Sequence, residues 1–195
     1  MKIAPTFTAR SVFSNFAPWI VYGLVSATGH APLAYVGGLI ASLCQTAPQW
    51  RARRLKIMDG VTFLFFLAGA VSAFAFHSTL FPRSGSVLIW GTLALIAWGS
   101  LLAGSPFTAE YARDAVPREY WSNPAFQRVN AIITAVWGAV FVINAALAVV
   151  MASKIGAPMG RAALWLLVLP YVGTLFGIVF TNRFPQWTSR RAPKA

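Results

Sequence analysis

The sequence predicts an all-α, polytopic membrane protein: a single bundle of six transmembrane helices, with a short cytoplasmic amphipathic helix between the fourth and the fifth. Charged residues make up only 10% of the 195-residue chain, whereas soluble domains carry about 25%. A membrane-spanning helix needs roughly 20 apolar residues, so the first uncharged run has room for two spans and each other run for one. The uncharged runs cover residues 11–50, 60–82, 84–109, 129–153 and 162–182.

Six spans are therefore predicted, and the breaks between them coincide with residues that end or bend helices. Pro18 lies near the start of the first span, where a proline disturbs a helix least. A tight turn at 29–32 separates the first two spans, and Pro82 and Gly85 separate the third from the fourth. The predicted spans cover residues 12–28, 32–47, 59–76, 86–103, 128–151 and 161–181.

The connection at 105–128 carries three of the four acidic residues of the chain. Ser105 and Pro106 are typical of a helix start, with serine as the N-cap and proline at the first helical position. Pro117 stops this helix, because the residue before a proline avoids the α conformation. We expect a short amphipathic helix at about 106–115 that lies at the inner membrane interface, with its apolar side chains toward the lipid or the bundle.

Asn123 and Pro124 repeat this start signal and open the helix that contains the fifth span. If that helix is continuous from Pro124 to about Met151, it is about 42 Å long at 1.5 Å per residue. This length exceeds the roughly 30 Å hydrocarbon core of a bilayer. Its first turns, including Arg128, are therefore expected to project into the cytoplasm.

The distribution of basic residues predicts that both termini are cytoplasmic. In that orientation 13 of the 16 Lys and Arg residues lie on the inner side, and only Arg83, Lys154 and Arg161 lie on the outer side. Such an asymmetry follows the positive-inside rule for membrane proteins.

The net charge of +12 would suggest nucleic-acid binding in a soluble protein, but here the basic residues lie between predicted spans. Four cations at 51–56 are expected to attract anionic lipids of the inner leaflet, at about 1 kcal/mol each. The predicted partners are therefore the lipid bilayer and its anionic lipids, and no nucleic acid. Cys44 is the only cysteine, which excludes an intrachain disulfide and a thiolate metal cluster.

Three segments resemble one family: Arg-Arg-Leu-Lys-Ile-Met-Asp at 53–59, Leu-Leu-Ala-Gly-Ser-Pro-Phe-Thr at 101–108, and Arg-Val-Asn-Ala-Ile-Ile-Thr-Ala-Val-Trp-Gly at 128–138. In these segments the chain resembles a group of small six-helix bacterial membrane proteins, some of them labelled as similar to intracellular septation protein A. The family pattern has Gly-Arg-Pro after the fourth helix, where this chain has Gly-Ser-Pro. The resemblance implies a six-helix fold in the bacterial inner membrane, and it implies no activity and no catalytic residue.

Polar and aromatic side chains deep in the predicted spans define the first functional hypothesis. An amide inside hydrocarbon costs several kcal/mol unless it faces other helices or a wet cavity. We expect a cavity between the fifth, sixth and first spans, as in a small permease or binding protein for an uncharged or anionic solute. The alternative is that these side chains form interhelical hydrogen bonds, worth about 0.6 kcal/mol each. The proposed cavity residues are Asn144, Thr134, Trp137, Tyr171 and Tyr22.

The 105–128 connection defines two other hypotheses. One is a structural or assembly protein of the cell envelope that acts through this connection on an envelope protein or on a second copy of the chain. The other, which ranks third, is a membrane enzyme for lipid-like substrates, because Glu110 and Asp114 are four residues apart and paired carboxylates can perform acid–base chemistry. We expect that the protein is not an enzyme. These hypotheses depend on Glu110, Arg113, Asp114 and Trp121.

Two further patterns have structural interpretations. Gly173 and Gly177 form a Gly-x-x-x-Gly motif that lets two helix backbones approach closely, within the bundle or in a dimer. His30 and His77 lie at predicted outer ends of helices and could ligate haem or a metal ion, although isolated interfacial histidines are usually surface residues. The sequence contains no phosphate-binding loop, HExxH, nucleophile elbow or CxxC motif, and we predict no cofactor and no metal.

Overall fold

A computed structural model describes residues 16–78, 80–153 and 161–191 of the chain. Within these residues the regular structure is entirely helical, as predicted, and contains no β-strand. Two 3-10 turns, Arg113–Ala115 and Arg118–Tyr120, follow the fifth α-helix. The α-helices are α1 (Ala17–Ser26), α2 (Ala31–Arg51), α3 (Ile57–Phe74), α4 (Leu80–Leu102), α5 (Phe107–Ala112), α6 (Pro124–Ser153) and α7 (Arg161–Arg191).

Three of the described helices are long and apolar enough to cross a membrane, which is compatible with a membrane protein. They are α3, the Ser84–Leu102 part of α4, and α6. α1 is apolar but has only 10 residues, and the first predicted span begins at residue 12, outside the described range. α2 has the length of a span, but its buried face carries the hydroxyl groups of Ser42 and Thr46.

The described chain divides into two compact units, and the division falls within α4 after Leu88. In the first unit α1 packs on α2, and α2 packs on α3. Aromatic rings fill the core of this unit: the Trp19 ring lies 4.9 Å from the Phe66 ring, and the Tyr22 ring lies 4.9 Å from the Tyr35 ring. Such ring pairs add about 0.5–1.5 kcal/mol each beyond the apolar area that they bury.

Glycines on α2 and α3 make room for these aromatic rings. A β-carbon at Gly38 would overlap the ring of Phe66, and one at Gly69 would overlap the ring of Tyr35. Both glycines are therefore packing positions, at which any side chain would force neighbouring helices apart.

In the second unit α5 packs on α6, and α6 packs on α7. Glycines again face indole rings: a β-carbon at Gly138 would lie 2.9 Å from Trp98 Nε1, and one at Gly177 would lie 3.0 Å from Trp137 Cη2. The Trp137 ring also lies 5.3 Å from the Phe141 ring. Close contact between small and large residues therefore joins the helices of this unit.

α4 begins at Leu80, well before the predicted start of the fourth span at 86. The prediction that Pro82 and Gly85 separate the third and fourth spans is therefore wrong. A proline is tolerated in the first turn of a helix, because the N–H that it lacks would have no intrahelical partner there. Gly85 is a packing position, since a β-carbon there would lie 2.6 Å from the Tyr22 hydroxyl and 2.9 Å from the Tyr35 hydroxyl.

α2 and α7 continue beyond their predicted C-terminal ends. α2 runs through Pro48 to Arg51, and α7 runs through Pro185 to Arg191. The predicted ends were placed where the apolar residues stop. A helix need not end there, because its backbone hydrogen bonds are satisfied within the helix on both sides of a membrane surface.

The predicted helix at 106–115 corresponds to α5 and the 3-10 turn that follows it. The prediction of Ser105 as the N-cap is wrong, because the N-cap is Pro106. The serine that serves this helix start is Ser100 at the end of α4, whose hydroxyl accepts a hydrogen bond from the Phe107 N–H at 3.1 Å. A side chain of α4, and not one from the residue before α5, therefore satisfies the first backbone N–H of α5.

The predicted start and continuity of the helix containing the fifth span are confirmed by α6. The side-chain Oδ1 of Asn123 accepts a hydrogen bond from the Ala125 N–H at 2.8 Å. The helix then runs unbroken for 30 residues from Pro124 to Ser153, which is about 45 Å at 1.5 Å per residue.

Candidate functional site

The buried polar residues of α6 are hydrogen-bonded within the second unit. Thr134 is fully buried, and its hydroxyl oxygen lies 2.8 Å from that of Thr108 on α5. Thr108 also donates to the backbone carbonyl of Asn130 at 2.9 Å. Because a threonine hydroxyl has only one proton, Thr134 is then the donor in its bond with Thr108. These bonds fix α5 against one side of α6.

Trp137 joins α6 to α7. Its Nε1 donates to the Thr181 hydroxyl at 2.9 Å, and that hydroxyl donates to the Gly177 carbonyl at 2.8 Å. Both Trp137 and Thr181 are buried. The indole N–H, which the sequence assigned to a solute cavity, is thus used in a contact between helices.

Asn144 makes a second contact between the same two helices. Its side chain is buried, and Nδ2 donates to the Pro170 carbonyl at 3.4 Å. The Thr174 hydroxyl donates to the same carbonyl at 2.8 Å. Gly173 leaves room for the amide, since a β-carbon there would lie 3.6 Å from Asn144 Oδ1. The geometry of Asn144 therefore matches the interhelical interpretation of this residue.

The face of α7 that carries Gly173 and Gly177 is covered by α6 of the same chain. It is therefore not a dimer face, which the sequence left as an alternative. Tyr171 lies on the opposite side of α7 and is 77% exposed. Contrary to expectation, Tyr171 does not line an interior cavity with Asn144.

Tyr22, the remaining proposed cavity residue, belongs to the core of the first unit. Its hydroxyl donates to the Tyr35 hydroxyl at 3.3 Å, and Tyr35 donates to the Phe81 carbonyl at 2.8 Å. Tyr22 thus packs and hydrogen-bonds within its own unit.

The 105–128 connection belongs to the second unit, in which its helix α5 packs against α6. Phe107 and Tyr111, which were expected to face the lipid or the bundle, are both buried, whereas Ala115 is exposed. Val116 is also buried. Buried apolar side chains therefore hold the connection in place, and it is more than an amphipathic helix lying on a membrane surface.

Trp121 lies at the centre of this connection. Its Nε1 donates to the Val116 carbonyl at 3.1 Å, and its own carbonyl accepts a hydrogen bond from Gln127 Nε2 at 2.6 Å. The guanidinium carbons of Arg113 and Arg118 each lie 5.5 Å from the centroid of the Trp121 ring, within the range of a cation–π interaction. We call Arg113, Arg118 and Trp121 the tryptophan–arginine cluster.

Glu110 and Asp114, predicted as paired carboxylates on one helix, lie in two consecutive helical elements. Glu110 lies in α5 and is partly buried, whereas Asp114 is exposed in the 3-10 turn after the helix. The rule that residues four apart share one face applies to an α-helix, and α5 ends at Ala112. The two carboxylates therefore belong to different helical elements, and the lipid-enzyme hypothesis stays a prediction.

A polar cluster that the sequence analysis missed lies in the first unit. Asp59 is buried in the first turn of α3, and its two carboxylate oxygens accept hydrogen bonds from Gln45 Nε2 at 2.8 Å and from Gln49 Nε2 at 2.7 Å. The buried Oε1 of Gln45 has no hydrogen-bond partner among the described residues. Gln45 and Gln49 are four residues apart, so they share one face of a helix, and this spacing could have indicated the cluster. The predicted second span ended at 47, however, and left Gln49 outside the helix.

The two histidines lie on the surface of the described chain. His30 and His77 are both exposed, and His30 Nδ1 lies 3.2 Å from the Thr28 hydroxyl. In the part of the chain that the structure describes, no group of three or more His, Cys, Asp and Glu side chains is arranged to hold a metal ion.

Comparison with known proteins gives no matching family model, no matching curated protein and no matching solved structure. The resemblance to small six-helix bacterial membrane proteins therefore remains a prediction from three sequence motifs.

Proposed function

We propose that the chain is a six-span protein of the bacterial inner membrane, with both termini in the cytoplasm, that acts as a structural or assembly protein of the cell envelope through its 105–128 connection. Three apolar helices support the membrane location. The excess of Lys and Arg on one side of the predicted spans supports the orientation.

One contrast carries this proposal. Thr134, Trp137 and Asn144, the polar residues expected to line a solute cavity, are buried and bonded to neighbouring helices. The connection, by contrast, is anchored by buried residues and exposes the charged side chains of Arg118 and Glu119. A rigid polar surface beside a membrane is suited to recognition of a partner, because little ordering entropy is lost when it binds.

In-cell photocrosslinking tests this proposal. A photoreactive phenylalanine analogue at Glu119 should give a discrete adduct with an envelope protein, identified by mass spectrometry. The matched control is the same analogue at Leu95, which is 76% exposed on α4 and is expected to face lipid. A charge reversal at Asp114, which is also exposed on the connection, should remove the Glu119 adduct without changing the amount of protein. Absence of a protein adduct from Asp114, Arg118 and Glu119 alike would contradict the proposal.

A small permease or binding protein is the second candidate, and the Asp59 cluster favours it. Ionisable residues within membrane helices are rare and commonly mark a path for ions or substrates. Here Asp59 and the unpartnered Gln45 oxygen offer acceptors to a cation, rather than to the anionic or uncharged solute expected from the sequence. Proteoliposomes containing the protein should then pass Na⁺ or H⁺, and Asp59→Asn should abolish the flux. Equal flux through both proteins would exclude this role for Asp59.

A further inference from the structure

We propose that the tryptophan–arginine cluster binds the phosphate-bearing headgroup of an anionic phospholipid in the inner leaflet. This inference goes beyond the proposed function, because it assigns a specific lipid site to the connection and requires no protein partner. It also differs from the diffuse attraction expected at 51–56, where exposed cations need no defined geometry.

The two arginines of the cluster form no ion pair among the described residues. The described side-chain contacts of Arg113 and Arg118 are those with the Trp121 ring. In addition, Nε of Arg113 is buried and has no hydrogen-bond partner in the same part of the chain. A buried donor without a partner destabilises the folded protein, and more so when it is charged. An anionic oxygen bound at the cluster would remove that cost.

The geometry of the cluster is also fixed in advance. Hydrogen bonds to Val116 and from Gln127 set the position of the Trp121 ring. A guanidinium group that lies over an aromatic ring still has N–H donors in its own plane. Arginine donates such N–H groups in pairs to phosphate oxygens. Two arginines held at one ring therefore present several donors in a small region without further ordering.

The position of the cluster favours a lipid over free phosphate. Trp121 precedes Pro124, the first residue of α6, and α6 is long and apolar enough to cross a membrane. Tryptophan is enriched at the level of lipid headgroups, where its ring contacts both apolar and polar surroundings. At the depth of the headgroups, the phosphate groups are those of the lipids. An anionic headgroup, unlike a zwitterionic one, carries no cationic group that would compete with the arginines for its phosphate.

Native mass spectrometry of the full chain in detergent tests the inference, with phosphatidylglycerol and phosphatidylcholine as probes. The wild-type protein should retain phosphatidylglycerol in preference to phosphatidylcholine. Arg113→Gln combined with Arg118→Gln should weaken phosphatidylglycerol binding about tenfold or more, since 1.4 kcal/mol corresponds to a factor of ten. The matched control is Arg51→Gln with Arg54→Gln, which removes the same charge from exposed arginines. This control should weaken phosphatidylglycerol binding less than the cluster variant does, because the diffuse attraction at 51–56 depends on the surface potential of a leaflet, which is absent in detergent.

Two additional variants distinguish a loss of lipid binding from a folding defect. Arg118 is exposed, so Arg118→Gln alone should leave the fold intact and still weaken binding. Replacement of both arginines by lysine should retain more binding than replacement by glutamine, because lysine keeps the charge. Equal losses in the cluster variant and its control would overturn the inference. So would equal retention of the two lipids, displacement of the lipid by millimolar inorganic phosphate, or a protein bound at the cluster in place of lipid.

Discussion

Thr108 and Thr134 are 26 residues apart in the sequence, and their hydroxyl oxygens lie 2.8 Å apart. Their hydrogen bond joins the short helix α5 to α6 at a fully buried position. With the bond from Thr108 to the Asn130 carbonyl, it fixes where the 105–128 connection begins. The position of the tryptophan–arginine cluster beside α6 follows from this anchor.

Replacement of these threonines by valine should destabilise the protein unequally. Thr108→Val removes the donor to Asn130 and the acceptor for Thr134, whereas Thr134→Val removes only one donor. We expect losses of about 1–2 kcal/mol and about 0.6 kcal/mol, measured by reversible denaturation of the purified protein in mixed micelles. Thr174→Val is the control, because Thr174 donates to Pro170 in its own helix. Equal losses for all three variants would contradict the anchoring role.

Gly69→Ala should destabilise the first unit by about 1–3 kcal/mol, as overpacked cores do. The added methyl group would overlap the Tyr35 ring. Gly23→Ala is the matched control, because nothing lies within 4 Å of a β-carbon there, and alanine in a helix is favoured over glycine by about 0.5–1 kcal/mol. The same denaturation measurement should rank Gly23→Ala above the wild type and Gly69→Ala below it; the reverse order would be inconsistent with the packing described.

Asn144→Ala should reduce the stability and the cellular amount of the protein. The substitution removes the hydrogen bond to the Pro170 carbonyl and leaves space at a buried position between α6 and α7. We expect a loss of about 1 kcal/mol or more. Protein level and denaturation midpoint should therefore fall together. An unchanged level with a loss of solute uptake would instead support a transport role for Asn144.

Asp59→Ala should cost about 2–3 kcal/mol, since it leaves the amides of Gln45 and Gln49 without their shared acceptor and hydrogen bonds to charged groups are strong. Gln49→Ala should cost less, because the bond from Gln45 to Asp59 remains. Denaturation of the two variants checks the ranking. If Asp59→Ala were as stable as the wild type, the carboxylate would not be the link between α2 and α3.

Much of the fold follows from the position of apolar and charged residues along the chain. The all-helical class, the helix break at 105–124 and the unbroken α6 are all visible in the sequence, because length and hydropathy determine them. Helix ends were less predictable: Pro82 and Gly85 resemble breakers in isolation. Pro82 is accommodated because it lies in the first turn of α4. Gly85 is accommodated because it packs against the hydroxyls of Tyr22 and Tyr35, and only the tertiary structure brings these residues together.

Less of the candidate site could be predicted, because its contacts join residues that are far apart in the sequence. Asn144 was expected to face either other helices or a wet cavity, because sequence alone cannot tell whether its amide meets a solute or the Pro170 carbonyl. The Asp59 cluster depends on two glutamines from another helix. Trp121 and Arg113 were singled out by residue type, whereas their contact with each other and the part played by Arg118 required the structure.

Cysteine labelling can show directly on which side of the membrane the 105–128 connection lies, and the proposed orientation depends on this. After replacement of Cys44 by serine, single cysteines at Glu119 and at His77, both exposed positions, are probed with a membrane-impermeant thiol reagent in cells whose outer membrane alone is permeable. We expect labelling of the cysteine at His77 in intact cells, and labelling of the cysteine at Glu119 only after the inner membrane is opened. Labelling at Glu119 in intact cells would contradict the orientation and the functional proposals based on it.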